Sequence, residues 1–203
     1  ELMSGIGLDV GTSLLIAARE SPSGISFKEH RDAFFRIKPS SPIDEKMIEK
    51  GLSGKTYFKE ESGDFVLIGQ DAIAKAVERQ LSASRPLHRG VISPTEKDAL
   101  PILKYIIKEL VGEPQEPNEK LVYSVPAAPV DQNAEDFDTG YHEDVIGNFL
   151  ASLGYKATSL SEAAAVAYYE LMDEGLTGLS YSVGAGMMNT ALMSNGECIL
   201  DMA

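Results

Sequence analysis

Gly7-Leu8-Asp9-Val10-Gly11-Thr12-Ser13, followed by the apolar run from Leu14, returns in weaker form as Tyr181-Ser182-Val183-Gly184-Ala185-Gly186 before Thr190-Ala191-Leu192-Met193. Aligning Gly11 with Gly184 sets Asp9 opposite Ser182. Each copy places small residues at a tight turn between apolar strands, where backbone N–H groups can approach an anion without an intervening side chain. Two such turns facing one another would grip a polyphosphate from both sides. A carboxylate at position 9, two residues before the glycine, would stand at a strand end where a hydrated Mg²⁺ could bridge to the phosphates. The plainer alternative is that glycine turns are common and Asp9 merely ends a strand.

Residues 5–10 and 14–19 read as a hairpin, with a further turn at Ser21-Pro22-Ser23-Gly24. Periodicity is lost over 36–64, which reads as an insertion or small subdomain, until Phe65-Val66-Leu67-Ile68 resumes a strand. Helical spacing predicts helices over 71–80 and 94–111. A strand over 120–125 runs into Pro126. Val145, Ile146, Phe149, Leu150 and Leu153 mark another helix before Gly154, and a short strand follows over 157–160. Ser161 is placed to cap an Ala-rich helix over 162–173. Two strands flank Gly184-Ala185-Gly186, and Asn195-Gly196 is a strong hairpin signal near the end. Strands alternating with helices predict an α/β fold on a mixed sheet.

The net charge of −13 over 203 residues argues against a general nucleic-acid binder. A single cysteine, Cys198, excludes a disulfide framework and fits a reducing compartment. No run approaches the ~18 apolar residues of a membrane span. His30, His88 and His142 lack metal-ligand spacing. Asp131, Glu135, Asp136, Asp138, Glu143 and Asp144 read as a solvated helix start. Met187, Met188 and Met193 are expected to fill core or interdomain gaps, and Tyr168 and Tyr169 to pack on their helix.

Five segments, in order, resemble one superfamily. Ile6 to Ser13 is similar to the phosphate-1 motif of the actin, sugar-kinase and heat-shock-chaperone proteins. Val122-Tyr123-Ser124-Val125-Pro126-Ala127 is similar to their valine-proline-alanine strand end. The run from Leu160 through Glu162 to Ala167 is similar to their glutamate-led helix start, and Ser182 to Gly186 to their phosphate-2 motif. Arg85-Pro86-Leu87-His88-Arg89-Gly90-Val91-Ile92 resembles a segment of the bacterial actins that set rod shape or align magnetosomes.

The resemblance implies a ribonuclease-H-like, actin-type ATPase lobe, with a mixed five-stranded sheet and helices, over 1–175. Residues 176–203 would then begin a second, similar lobe, incomplete in this chain. It implies ATP and Mg²⁺ in an interlobe cleft, with Asp9 holding the Mg²⁺ shell through water. Gly11, Thr12 and Ser13 would contact the phosphates from one side, and Gly184, Ala185 and Gly186 from the other. Glu162 falls where bacterial actins orient the attacking water, a role that phosphoryl transfer requires; its structural alternative is a first-turn acid favoured by the helix dipole. Lys75 lies near the chaperones' catalytic lysine, but the local alignment slips by one residue.

The resemblance breaks at three positions: Ser182 replaces the phosphate-2 aspartate, Met187 the usual threonine, and Ala163 the proline after the glutamate. A missing electrostatic group of this kind commonly costs about 10²–10³ in rate, so binding is expected to outlast hydrolysis. The implied function is nucleotide-dependent self-association into cytoplasmic filaments. The alternative is a chaperone-like or scaffold switch that binds a protein partner through the same cleft.

Overall fold

A computed structural model describes residues 5–93, 97–130 and 138–203. In β1 (Gly5–Val10), Ile6, Leu8 and Val10 turn into the core while Gly7 and Asp9 face the other side, the period-two alternation of a strand. β2 (Leu14–Ser21) returns antiparallel to β1, with Asp9 opposite Ile16. The chain then continues into β3 (Gly24–Arg31), a third strand that the sequence pattern does not mark. Its side chains are mostly exposed, Ile25 and Phe27 included, so burial leaves little pattern to read.

β4 (Phe34–Ile37), α1 (Pro42–Gly51), β5 (Tyr57–Lys59), β6 (Phe65–Ile68) and α2 (Gly69–Glu78) follow. Here the stretch without periodicity proves to hold a helix. Ser41 caps α1 by accepting the Asp44 N–H, yet no residue of α1 is fully buried, which is why no apolar stripe marks it. β4, β6 and β5 form a separate three-stranded sheet in that order. β6 is buried on both faces: Val66 and Ile68 enter the main core, while Phe65 and Leu67 enter a smaller one with Ala33, Ile37, Leu52 and Ala72.

After the short hairpin of β7 (Leu87–His88) and β8 (Val91–Ile92) comes α3 (Leu100–Val111). α3 starts later than its spacing predicts. A 3₁₀ turn over Lys97–Ala99 precedes it, and Pro101 sits in its first turn, where a missing N–H costs nothing. Residues 94–96 lie outside the described ones. Ile102, Leu103, Ile106, Ile107, Leu110 and Val111 are buried against the main sheet.

β9 (Lys120–Val125), α4 (Thr139–Ser152), β10 (Lys156–Ser161) and α5 (Glu162–Glu170) complete the main layer. The five-stranded sheet runs β10-β9-β1-β2-β3; β10, β9 and β1 are parallel, and β1, β2 and β3 antiparallel. This is the mixed five-stranded sheet expected. Ser161 caps α5 by accepting the Ala164 N–H, and the helix ends at Glu170, three residues short of the prediction. Arg19 on β2 and the buried Glu119 form an ion pair at 2.6 Å, and Glu119 also accepts the Gln115 N–H at 2.8 Å.

The chain ends in a second antiparallel sheet of β11 (Gly178–Val183), β12 (Met188–Ser194) and β13 (Glu197–Met202). Asn195 and Gly196 both take positive φ, as a type I′ hairpin turn requires. Ala163, Ala164 and Ala191 pack α5 onto this sheet; small side chains let helix and sheet approach closely.

Candidate functional site

Asp9, Ser124 and Glu162 stand at the carboxyl ends of three neighbouring parallel strands, β1, β9 and β10, Glu162 being the first residue of α5. The crevice beyond such strand ends is where open α/β sheets bind ligands. Asp9 reaches it because alternation turns it away from the core. Ser124 donates to Asp9 Oδ1 at 2.8 Å and accepts the Val10 N–H at 2.9 Å, so it both ties β1 to β9 and fixes the carboxylate.

The two glycine turns meet across this crevice. A Cβ on Gly11 would lie 2.6 Å from the Leu14 carbonyl oxygen, so the first turn excludes any larger residue. The Gly184 N–H donates to the Met187 carbonyl at 2.9 Å and closes the second turn. A Cβ on Gly186 would lie 2.4 Å from Thr12 Oγ1 and 3.0 Å from the Gly90 nitrogen, which puts the turns in direct contact. Gly11, Thr12, Ser13, Gly184, Ala185 and Gly186 line one cavity of about 250 Å³ together with Asp9 and Glu162. All eight residues singled out from the sequence are therefore brought together. An apolar recess of about 380 Å³ adjoins it, sharing Asp9, Ile16, Glu162 and Ser182, and adding Phe27, Val122, Leu160 and Val166.

The site is electrostatically tense. Burial, and after it the nearby Asp9 charge, raise Glu162 to about 7 against the opposing effect of a hydrogen bond with Ser182. Burial likewise raises Asp9, offset by the Ser124 hydroxyl. No basic side chain lines either recess among the described residues. An anion here would rest on backbone N–H groups and on a cation shared with the carboxylates.

Two residues of the site escaped the sequence reading. Ser124 follows from strand alternation, since it faces the same way as Asp9. Asn189 is fully buried; its Nδ2 donates to Glu162 Oε2 at 2.7 Å and its Oδ1 accepts the Ala127 N–H at 2.9 Å. Its signal was a lone amide in an apolar strand, directly opposite Ser182 in the β11–β12 register.

Other candidates fall elsewhere. Lys75 pairs with Glu78 on α2 and does not line the cleft. No cluster of three or more potential metal ligands occurs among the described residues. Asp138 caps α4 by accepting the Tyr141 N–H, and Glu143 accepts from Ser159; Asp131, Glu135 and Asp136 lie outside the described residues. Met193 is buried, but Met188 is 53% exposed and fills no gap. Tyr169, 74% exposed, does not pack on its helix as expected, because it lies on the face of α5 turned away from both sheets. No described helix is long and apolar enough to cross a membrane.

A family model described as Volactin matches residues 3–203. Among solved structures, MreB 5 of Spiroplasma citri bound to AMPPNP matches with a TM-score of 0.59 and 18% identity. That match covers 99% of this chain and 52% of the MreB 5 chain, so this chain spans about half its length. The filament structure of AlfA, from a B. subtilis plasmid, matches with a TM-score of 0.56 and 11% identity over 97% of this chain and 69% of AlfA. The fold is therefore that of bacterial actin-like proteins. No curated protein sequence matches.

Proposed function

The chain belongs to the volactin family, and we propose that it is an actin-like protein that binds ATP with Mg²⁺ between its two glycine turns. The observation that carries this reading is the contact of those turns at the carboxyl ends of β1, β9 and β10, beside Asp9 and Glu162. The cradle fits a polyphosphate: its walls are glycine backbone that a Cβ would fill, and its carboxylates suit a hard divalent cation. Asp9 would hold the hydrated metal, which would neutralise phosphate charge. Gly11, Thr12 and Ser13 would approach the phosphates from the first turn, and Gly184, Ala185 and Gly186 from the second. Residues 1–175 would form the first lobe and 176–203 the opening of the second.

Glu162 is positioned to orient a water and accept its proton. Raised towards 7, its carboxyl can exchange a proton near neutral pH. Asn189 and Ser182 hold it from the second sheet, so its orientation depends on how that sheet meets α5. Ser182 brings a hydroxyl rather than a second carboxylate, and hydrolysis is accordingly slow while binding persists. Head-to-tail contacts that do not close would then build cytoplasmic filaments. Sedimentation and negative-stain microscopy of the purified protein, with and without ATP and Mg²⁺, test this reading. Nucleotide-dependent polymer supports it; nucleotide binding without polymer favours the alternative of a switch that binds a protein partner.

A further inference from the structure

Asp32 follows β3, is 1% exposed, and lines neither recess of the proposed nucleotide site. Its backbone N–H donates to the Ser13 carbonyl at 3.2 Å, which places it against the first glycine turn. Its Oδ2 accepts the Leu87 N–H at 3.0 Å, the Arg85 guanidinium stands near, and its Oδ1 is buried without a partner. Burial raises the carboxyl to about 8. Near neutral pH it is therefore mostly protonated and avoids an unpaired buried charge.

The β7–β8 hairpin that Asp32 holds packs against both turns. On one side Arg85 Nη1 donates to the Thr12 carbonyl at 3.0 Å, and the Gly90 N–H donates to Thr12 Oγ1 at 2.7 Å. On the other, a Cβ on Gly90 would lie 3.1 Å from Met187 Sδ, and one on Gly186 would lie 2.9 Å from Arg89 Cα. The hairpin thus braces both turns where they meet, and the buried Asp32 carboxyl ties it to the first lobe through the Leu87 N–H.

We propose that Asp32 is a positioning residue which, by seating the β7–β8 hairpin, fixes how the two glycine turns meet and so the affinity of the cleft for nucleoside triphosphate. The ligand class rests on the function proposed above; the seating of the hairpin does not. Asp32 touches no ligand and acts only through Leu87, Gly90 and Thr12.

The test compares Asp32→Asn, which keeps an acceptor for the Leu87 N–H, with Asp32→Leu, which removes it in a larger side chain of the same branching. Exposed Arg85→Gln, which loosens the same hairpin, serves if Asp32→Leu does not fold. Two quantities are read: Mg²⁺-ATP affinity and hydrogen exchange at the Gly90 amide. Asp32→Leu is expected to weaken binding about tenfold and to speed Gly90 exchange by a similar factor, with Asp32→Asn restoring most of both. Arg85→Gln should shift both in the same direction. Wild-type affinity and exchange in a folded Asp32→Leu, or in Arg85→Gln where the former does not fold, would overturn the proposal. Wild-type protein that binds no ATP would refute the ligand assignment alone, and Gly90 exchange would still decide whether Asp32 seats the hairpin.

Discussion

Asn189 on β12 donates its amide Nδ2 to Glu162 Oε2 at 2.7 Å, while its carbonyl Oδ1 accepts the Ala127 N–H at 2.9 Å. The Ala127 N–H can only donate, so the amide can sit in one orientation only, with its NH₂ towards Glu162. A side chain with no exposure thereby joins the end of β9 to the head of α5 through the second sheet. Replacing it by alanine leaves the Ala127 N–H and the Glu162 carboxyl short of a partner. Asn189→Ala is expected to lower stability by about 1–3 kcal/mol, read as a lower urea midpoint at unchanged slope.

Glu162 and Asp32 keep their protons in the folded state to higher pH than in the unfolded chain, Glu162 to about 7 and Asp32 to about 8. Between the usual carboxyl range and those values the native state binds more protons than the unfolded one. Stability is then fullest below the unfolded values and falls as pH rises, flattening above about 8. The steepest slope one such group can give is about 1.4 kcal/mol per pH unit, and the partial exposure of Glu162 makes its own share smaller. Glu162→Gln should make the decline between about pH 4.5 and 7 shallower by the Glu162 share, leaving the Asp32 share in place. Urea titrations across that range check it, and an unchanged slope would count against the raised carboxyl.

At Gly186 an added methyl meets Thr12 Oγ1 at 2.4 Å and backbone of Arg89 and Gly90 at about 3 Å, none of which is the end of a long flexible side chain. Gly186→Ala should cost about 1–3 kcal/mol and weaken nucleotide binding with it. Gly51 at the end of α1 has open space around its missing Cβ, so Gly51→Ala should change stability by less than about 1 kcal/mol. Thermal unfolding of the pair separates a crowded turn from a general intolerance of added methyl groups.

Much of this architecture is legible in the sequence, for physical reasons that differ by element. The β1–β2 turn, the Ser161 cap and the Asn195-Gly196 hairpin each depend on one or two residues with narrow backbone preferences, so their letters suffice. β3 and α1 are illegible because neither buries a face deeply enough to impose a period. The two glycine turns could be paired from their resemblance, whereas Asn189 could not be placed without the register that sets it opposite Ser182. The β7–β8 segment carried a family resemblance, but its position against the turns depends on the long-range bonds of Thr12 and Asp32.

Away from the cleft, Glu119 has no side-chain exposure and depends on Arg19 and the Gln115 N–H. Arg19→Leu leaves a buried carboxylate without its cation, and is expected to cost about 3–5 kcal/mol. Replacing both residues together by apolar side chains should recover much of that loss. Chemical denaturation of the single and double variants measures the difference, and equal losses in both would show that packing rather than charge pairing dominates.

In the proposed function the two glycine turns and Asp9 form one nucleotide site. Isothermal titration of the purified protein with ATP, in Mg²⁺ and in EDTA, beside Asp9→Ala, tests it most directly. One site per chain is expected, with an affinity that falls at least about tenfold without Mg²⁺ or without the Asp9 carboxylate. Binding that ignores both Mg²⁺ and Asp9, or no binding of ATP at all, would contradict it.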